Sequence, residues 1–181
     1  MLGGGSIPAK STALLEHIRR MGLRFKDQTY GECFFITTSF YEHRRLGETE
    51  GVYEALADSL RFYLHKYHAQ LPGYVFMPSH IHLLLFVKGN SLAGFMRDFK
   101  KYVAQKGVSN CGVRVSQLWA PRYDRVVVYS ETVFHRKLEY IHRNPVTAGL
   151  VLAPEEWQWS SAGAYLQSEI GCIPVWKDWL F

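Results

Sequence analysis

The chain has 181 residues, of which 48% are hydrophobic and 20% are charged, and this composition predicts one globular domain with a sizeable core. No stretch approaches the roughly 18 consecutive apolar residues of a membrane span, and the start lacks the unbroken apolar run of a signal peptide. Cys33, Cys111 and Cys172 lie far apart and form no CxxC pair, so the cysteines do not indicate a zinc or dithiol motif. We therefore expect a cytoplasmic protein with reduced thiols and no membrane partner.

Positive charge is concentrated in one part of the chain. The formal net charge is +5, and residues 97–143 hold ten Lys and Arg against four Asp and Glu, so this segment carries +6 and the remainder carries −1. Such an excess suits a polyanionic partner. We therefore expect nucleic-acid contacts within this segment.

The predicted elements follow the order β-α-β-β-α-β-α. Aromatic and β-branched residues predict strands over 33–40, 71–76, 80–87 and 119–129, and apolar residues at helical spacing predict helices over 51–67 and 91–106. A short basic helix is expected over 11–24. Ser130 can cap a third helix that has Glu131 in its first turn, and this helix is expected to end near Asn144 because Pro145 follows.

This order, with a hairpin between the second and third strands, is typical of a ferredoxin-like α+β fold, in which helices pack on one face of an antiparallel sheet. We divide the chain into an N-terminal extension at 1–30, a domain at 31–145 and a C-terminal tail at 146–181. Three tryptophans and Tyr165 lie between Trp157 and Trp176 in the tail. They either dock on the core or grip a DNA hairpin.

Two histidines begin the third predicted strand. Because side chains alternate across a sheet, His80 and His82 share one face, and the apolar residues between and after them point to the other. A strand rise of roughly 3.3 Å per residue places the imidazoles about 7 Å apart, so they can converge on one cation. A core would prefer Val or Leu at these positions. The pattern predicts either a metal site or two half-buried histidines at a strand end.

The third predicted helix carries a matching set of polar residues. Its apolar stripe is expected to face the sheet, and Lys137, Tyr140 and Asn144 line an adjacent face at i, i+3 and i+7. A phenol that attacks phosphorus must approach a metal that polarises the phosphate, and a carboxamide oxygen one turn away can complete that metal's ligand set. The alternative is a packed tyrosine followed by a helix-terminating Asn-Pro.

Three stretches together resemble a known family. They are YVFMPSHIHLLL, LWAPRYDRVVVY and KLEYIHRNPVTAGLVLAPEEWQWSS, in this order. Over residues 34–165 the chain resembles the REP-associated tyrosine transposases, relatives of the small single-tyrosine HUH transposases of insertion sequences. One departure is Ser79, where the family often has Asn before the first histidine. Residues 1–30 do not match clearly, so nothing is carried over to them.

The resemblance implies an HUH endonuclease fold in which the third helix carries the nucleophile. The family's two metal-ligating histidines correspond to His80 and His82. Its nucleophile corresponds to Tyr140, and its third ligand, four positions later, corresponds to Asn144. Two nitrogen ligands and one oxygen ligand leave three octahedral positions for phosphate oxygens and water, which suits Mg²⁺ or Mn²⁺. Attack would leave a 5′-phosphotyrosine and a free 3′-OH, and a 3′-OH can later reverse the reaction and join strands.

Single-stranded or hairpin DNA is the expected partner. Arginines flank Tyr123 on the strand before the third helix, and this alternation lets cations contact phosphates while rings stack on unpaired bases. A solvated strand edge with core aromatics would show the same pattern, and the basic residues of the second helix could be simply its polar face. The candidate DNA-binding residues are Arg97, Lys100, Lys101, Trp119, Arg122, Tyr123, Arg125, Lys137 and Arg143.

Two other functions fit the same residues. A binding protein of this fold would recognise DNA hairpins without cutting them, and a metal-dependent phosphoesterase would use water, with Tyr140 only structural. The presence of both histidines, Tyr140 and Asn144 argues for cleavage, since a protein that only binds would be free to lose them. A covalent protein–DNA adduct separates the three hypotheses. The sequence leaves open whether the protein is a monomer or a homodimer.

Overall fold

A computed structural model describes residues 32–167 and 171–178, so the basic helix expected over 11–24 and the whole N-terminal extension lie outside the described residues. Four strands and four α-helices follow one another in the described part of the chain. They are β1 (Cys33–Ser39), α1 (Val52–Lys66), β2 (Gln70–Phe76), β3 (His80–Phe86), α2 (Gly89–Tyr102), β4 (Asp124–Val127), α3 (Glu131–Thr147) and α4 (Ala162–Leu166). Within these residues, no helix has the length and apolar character that crossing a bilayer requires.

The strands form one antiparallel sheet in the order β2-β3-β1-β4. β1 is central, and its pairing places Thr37 opposite His82 on β3 and opposite Asp124 on β4. Side chains opposite each other in an antiparallel pair share a face of the sheet. Thr37, His82 and Asp124 therefore form one row across the same face.

One face of the sheet is covered by α1 and α2. Large apolar side chains of the strands and of both helices pack there into the main core, which includes Phe34, Ile81, Leu56, Phe95 and Phe99. All five are fully buried. The predicted α+β fold with an antiparallel sheet is confirmed, and these two helices lie on one face as predicted.

The third helix departs from the expected placement, because α3 covers the opposite face of the sheet. Phe134, Leu138 and Ile141 of α3 form a second core with Phe35 and Leu84. The physical reason is that the strands are apolar on both faces, so each face needs a cover. Gly73 on β2 makes the close approach possible, since a Cβ at that position would lie 2.6 Å from the Leu138 side chain.

The end of α3 also differs from the prediction, because the helix continues through Pro145 to Thr147. The proline ring is buried, and the helix stops where Gly149 adopts a left-handed conformation with φ of 68°. The N–H of Gly149 donates to the Val146 carbonyl, and the N–H of Leu150 donates to the Pro145 carbonyl. This is the Schellman arrangement, so the glycine, and not the proline, ends the helix.

The strand expected over 119–129 is shorter in the structure, where β4 holds only four residues. Trp119 still pairs with Phe40 through an isolated bridge. Pro121 lies between this bridge and β4, and a proline cannot donate to a strand ladder. The ladder is therefore interrupted there.

The C-terminal tail packs along β2, the edge strand of the sheet. The N–H of Phe76 donates to the Trp159 carbonyl at 2.8 Å, and the N–H of Trp176 donates to the Leu71 carbonyl at 3.1 Å. The indole N–H of Trp157 donates to the Phe76 carbonyl at 2.9 Å. Of the two roles left open for the tail, the structure shows docking on the core, which covers an edge that would otherwise be exposed.

Candidate active site

The two histidines of β3 lie side by side on the face covered by α3. The ring centroids of His80 and His82 are 4.7 Å apart, with the ring planes at 74°. Their side chains share a face because of the period-two geometry of the strand, as predicted. The structure thus brings together two imidazoles that can bind one ion.

Among the described residues, only one of the two ring nitrogens of His82 has a hydrogen-bond partner. Its Nδ1 lies 2.8 Å from the hydroxyl Oγ1 of Thr37. Its Nε2 is buried and has no hydrogen-bond partner in the part of the chain that the structure describes. An unpaired buried nitrogen costs stability unless a ligand is present, so this atom fits a metal ligand. The Nδ1 of His80 is 3.1 Å from the Ser79 hydroxyl.

Burial makes both imidazoles resist protonation. It lowers the pKa of His82 to about 3, with smaller contributions from the charges of His80 and Lys137. Burial also lowers the pKa of His80, and the charge of nearby His43 adds to this effect. Both rings are therefore neutral at pH 7, which is the form that binds a metal.

Tyr140 on α3 stands beside His82. Its ring centroid lies 5.2 Å from that of His82 and 5.8 Å from that of Phe35, in edge-on contacts. The ring of Phe35 in turn stacks on His82 at 5.4 Å. Tyr140 is nevertheless 49% exposed, so a polymer in solution can reach its phenol. The helix and the strand together place an accessible phenol next to the histidine pair.

Lys137 lies one turn before Tyr140 on the same helix. Its ammonium nitrogen is 4.4 Å from the ring centroid of Phe35 and 5.8 Å from that of Tyr140. Such distances are those of cation–π contacts, which hold the ammonium above the aromatic rings. A positive charge is thus held beside the rings of Phe35 and Tyr140.

Asn144 is half-buried and lies in a shallow groove of about 360 Å³ on the side of α3 that carries Tyr140. The groove is lined by Arg136, Glu139, Tyr140, Arg143, Asn144 and Thr147. No group of three or more His, Cys, Asp or Glu able to hold a metal occurs in residues 32–167 and 171–178. The structure thus places the Asn144 carboxamide beside Tyr140 in this groove.

The candidate DNA-binding residues do not form one surface. Lys137 and Arg143 lie on α3 near Tyr140. Arg97 and Lys101 belong to α2, which covers the opposite face of the sheet, and the guanidinium of Arg97 pairs with the Asp98 carboxylate at 3.0 Å. The +6 segment is therefore divided between the two faces.

Trp119 and Lys100 were predicted to contact DNA, but the structure does not place them on an open surface. Trp119 is 6% exposed, stacks on Phe40 at 4.9 Å and donates its indole N–H to the Lys100 carbonyl. Its ring is part of the main core and is not available to stack on a base. The Lys100 ammonium donates to the Ala120 carbonyl at 2.9 Å, and burial lowers its pKa. The isolated bridge beside Phe40 turns this indole inward.

The remaining candidates lie around β4. Arg122 is exposed, whereas Tyr123 is half-buried and packs against the main core. Arg125 is paired in the ladder with Ile36, so it points to the face that α1 and α2 cover. Of these three side chains, Arg122 is the one that is freely accessible.

Two residues of the site were not found by sequence analysis. Thr37 contacts His82, and Phe35 contacts both His82 and Tyr140. Both belong to a β1 sequence of aromatic and β-branched residues, which is typical of any buried strand. Only the register of β1 against β3 gives them a role, and no signal in β1 itself states that register.

A known protein is similar to this chain in sequence, and a solved structure is similar in fold. A Haemophilus influenzae protein described as a REP-associated tyrosine transposase is 23% identical over 155 residues, which cover 80% of this chain and 88% of the relative. A solved structure of a REP-associated tyrosine transposase bound to a REP hairpin superposes with a TM-score of 0.67 and 18% identity, over 87% of this chain and 94% of that one. No protein-family model matches the chain.

Proposed function

Since the chain resembles the REP-associated tyrosine transposases in sequence and has their fold, we propose that it is a DNA transposase that cleaves and rejoins single-stranded DNA at hairpin repeats. Tyr140 is the nucleophile in this proposal. The observation that carries it is the contact of the half-exposed Tyr140 ring with His82, whose imidazole lies against His80 and has a buried Nε2 with no hydrogen-bond partner among the described residues.

The residues present fit a divalent metal. His80 and His82 supply nitrogen ligands, and Asn144 supplies an oxygen, a set compatible with Mg²⁺ or Mn²⁺. A metal bound there would polarise the scissile phosphate and stabilise the charge that develops on it. The unpaired Nε2 of His82 supports this assignment, because a ligand would compensate its burial.

The chain's own residues supply the nucleophile and its environment. The Tyr140 hydroxyl oxygen attacks the phosphorus and its proton passes to water, to which the half-exposed ring is open. A phosphorus–oxygen bond to Tyr140 forms as the bond to the 3′ oxygen of the neighbouring nucleotide breaks, and that oxygen leaves as a 3′-OH after taking a proton. The ammonium of Lys137 offsets negative charge near the phenol oxygen and the phosphate.

The products retain the capacity to rejoin. The phosphate stays esterified, now to Tyr140, so the free energy of the ester is conserved. A 3′-OH that returns to the site can attack the phosphotyrosine, release the phenol and restore a phosphodiester. No nucleoside triphosphate is needed for this exchange.

DNA would enter along α3. Arg136 and Arg143 flank Tyr140 in the groove, one turn before it and one turn after it. Both are exposed and positively charged, which suits contacts to the phosphates on either side of the cleaved bond. We place the substrate strand on this face, with Lys137 and Arg122 as further phosphate contacts.

The decisive experiment compares Tyr140→Phe with Tyr129→Phe, incubated with a DNA hairpin that has single-stranded flanks and with Mg²⁺. Both tyrosines are about half exposed, but only Tyr140 contacts His82. We expect the first variant to lose the covalent protein–DNA adduct on a denaturing gel while binding the hairpin as well as before. The second variant should form as much adduct as the wild type.

Three results would contradict the proposal. An adduct that persists in Tyr140→Phe would assign the nucleophile to another tyrosine, such as Tyr123 or Tyr129. Hairpin binding by the wild type without any adduct would identify a binding protein. Cleavage without an adduct would identify a phosphoesterase that uses water.

A further inference from the structure

We propose that Thr37 is a positioning residue that holds the His82 ring in one tautomer and one orientation, with Nδ1–H donating to the Thr37 hydroxyl and the lone pair of Nε2 directed at the metal. This inference rests on the proposed function, because it gives His82 the role of a ligand. It adds a residue from a strand that the proposed chemistry does not otherwise use.

The geometry is set by the backbone. Thr37 and His82 are direct partners in the β1–β3 ladder, so backbone hydrogen bonds fix the positions of both Cβ atoms. The hydroxyl oxygen and Nδ1 are 2.8 Å apart. Phe35 holds the other side of the arrangement by stacking on the imidazole. A ring held by a hydrogen bond and a stacking contact loses little further freedom when it binds an ion.

Two proton arrangements are possible, and they differ in consequence. If the Thr37 hydroxyl donates to Nδ1, the hydrogen of the neutral ring is on Nε2, where a buried N–H has no acceptor within the described residues. That arrangement buries a donor without an acceptor and leaves no nitrogen free for a metal. If Nδ1–H donates to Thr37, the lone pair of Nε2 is free for an ion.

The second arrangement is also the one that metal sites use. A histidine ligand generally donates its other ring N–H to an oxygen, which fixes the tautomer and makes the ligating nitrogen more basic. Thr37 is that oxygen here. Thr37 is half-buried, so its own hydroxyl hydrogen can be donated to water.

The next residue on β1 provides a matched control. Thr38 is buried whereas Thr37 is half-buried, it points to the opposite face, and its hydroxyl has no hydrogen-bond partner in the described residues. Thr38→Val removes the same atom from the same strand without touching His82. Thr37→Val removes the proposed acceptor at nearly constant shape, and Thr37→Ser keeps it.

Two measurements on the complete protein without DNA test the proposal. The first is the tautomer of His82 in the metal-free protein at pH 7, read from the ¹⁵N chemical shifts of its two ring nitrogens. We expect the Nδ1–H form in the wild type, Thr37→Ser and Thr38→Val, and a mixture or the Nε2–H form in Thr37→Val. The second is the affinity for Mn²⁺, measured by electron paramagnetic resonance.

The affinity for Mn²⁺ should fall about 10- to 100-fold in Thr37→Val, because this is the usual effect of removing the hydrogen-bond partner of a metal-binding histidine. The affinity should stay unchanged in Thr38→Val. Thr37→Ser should recover most of the loss. Circular dichroism of each variant establishes that it is folded, and the tautomer of the wild-type protein decides the matter if Thr37→Val does not fold.

Failure of this inference is distinguishable from failure of the proposed function. An Nε2–H tautomer in the wild type, or unchanged Mn²⁺ affinity in Thr37→Val, overturns the role of Thr37 and leaves Tyr140 as the nucleophile. A wild-type protein that forms no adduct but shows the expected tautomer and Mn²⁺ affinities supports Thr37 and overturns the cleavage reaction. A wild type that binds no Mn²⁺ overturns both the metal site and the role of Thr37 in it.

Discussion

The two faces of the sheet differ in what covers them. The face under α1 and α2 is filled mainly by large apolar side chains, including residues next to the histidines such as Ile81. The face under α3 is apolar at one end, where Phe134 and Leu138 pack, and polar at the other. There it carries His80, His82 and Thr37, with exposed Tyr140 above them. One face stabilises the fold, whereas the other gives up apolar packing at one end to hold polar groups.

The buried histidines His142 and His82 differ in the same way, in whether the Nε2 atom has a hydrogen-bond partner among the described residues. The Nε2 of His142 lies 2.9 Å from the hydroxyl of Ser161, which also accepts the backbone N–H of Tyr74. The Nε2 of His82 has no such partner in the part of the molecule that the structure describes. A buried imidazole with satisfied hydrogen bonds is structural, and one without them is available to a ligand.

The largest effect should come from the main core. Phe34 and Phe35 are neighbours on β1 that point to opposite faces. Phe34→Ala should lower the free energy of unfolding by about 3–5 kcal/mol, because a fully buried ring leaves a cavity. Phe35→Leu should cost less than Phe34→Ala because it keeps a large apolar side chain, and it should still reduce adduct formation because the stacking on His82 is lost. Urea denaturation and the adduct assay measure the two quantities. Full activity of Phe35→Leu would show that this face is only a second core.

Removing a proposed ligand should act on chemistry more than on stability. His82→Ala should reduce the rate of adduct formation by about 100-fold. Removing only the hydrogen-bond partner of a metal ligand typically lowers metal affinity or activity 10- to 100-fold, and removing the ligand itself should do at least as much. Replacing Mg²⁺ by Mn²⁺ should restore part of the rate, because Mn²⁺ binds sites that contain nitrogen more tightly. Single-turnover rates in the two metals test this expectation. A variant as active as the wild type in Mg²⁺ would exclude His82 as a ligand.

The satisfied histidine should make stability depend on pH. Burial lowers the pKa of His142 to about 4, so below about pH 6.5 the unfolded chain takes up a proton that the folded protein excludes. This residue should therefore cost about 2 kcal/mol of stability between pH 7 and pH 5. His142→Gln can still hydrogen-bond Ser161 but does not titrate, and it should show a shallower loss in urea denaturation at the two pH values. The same slope in both proteins would assign the effect to other groups.

The smallest effect concerns DNA binding, which should distinguish the two faces again. Arg143→Ala removes a cation beside Tyr140, whereas Arg97→Ala removes one on α2 across the sheet. Arg143→Ala should reduce the dependence of hairpin affinity on salt by about one unit in the slope of log K against log salt, which corresponds to one phosphate contact. Arg97→Ala should leave the slope unchanged. Fluorescence anisotropy between about 50 and 200 mM salt measures both. The opposite result would place the DNA on the α2 face.

Much of the fold followed from local patterns. Strand and helix positions come from hydrophobic period and turn residues, and both are properties of neighbouring residues. The shared face of His80 and His82 follows from strand alternation alone. That Tyr140 and Asn144 lie one turn apart on the same side of α3 follows likewise from the helical period. These predictions need no knowledge of how elements pack.

Packing between elements decided the rest. The sheet is apolar on both faces, and α1 and α2 cover only one of them, so α3 packs on the other. This packing also depends on Gly73, because a side chain there would meet Leu138. Trp119 has the composition of a base-stacking residue, but its bridge to Phe40 turns it into the core. Thr37 meets His82 through a pairing register between residues 45 positions apart. A one-residue shift of that register would move Thr37 to the other face, so its role could be known only from the tertiary structure.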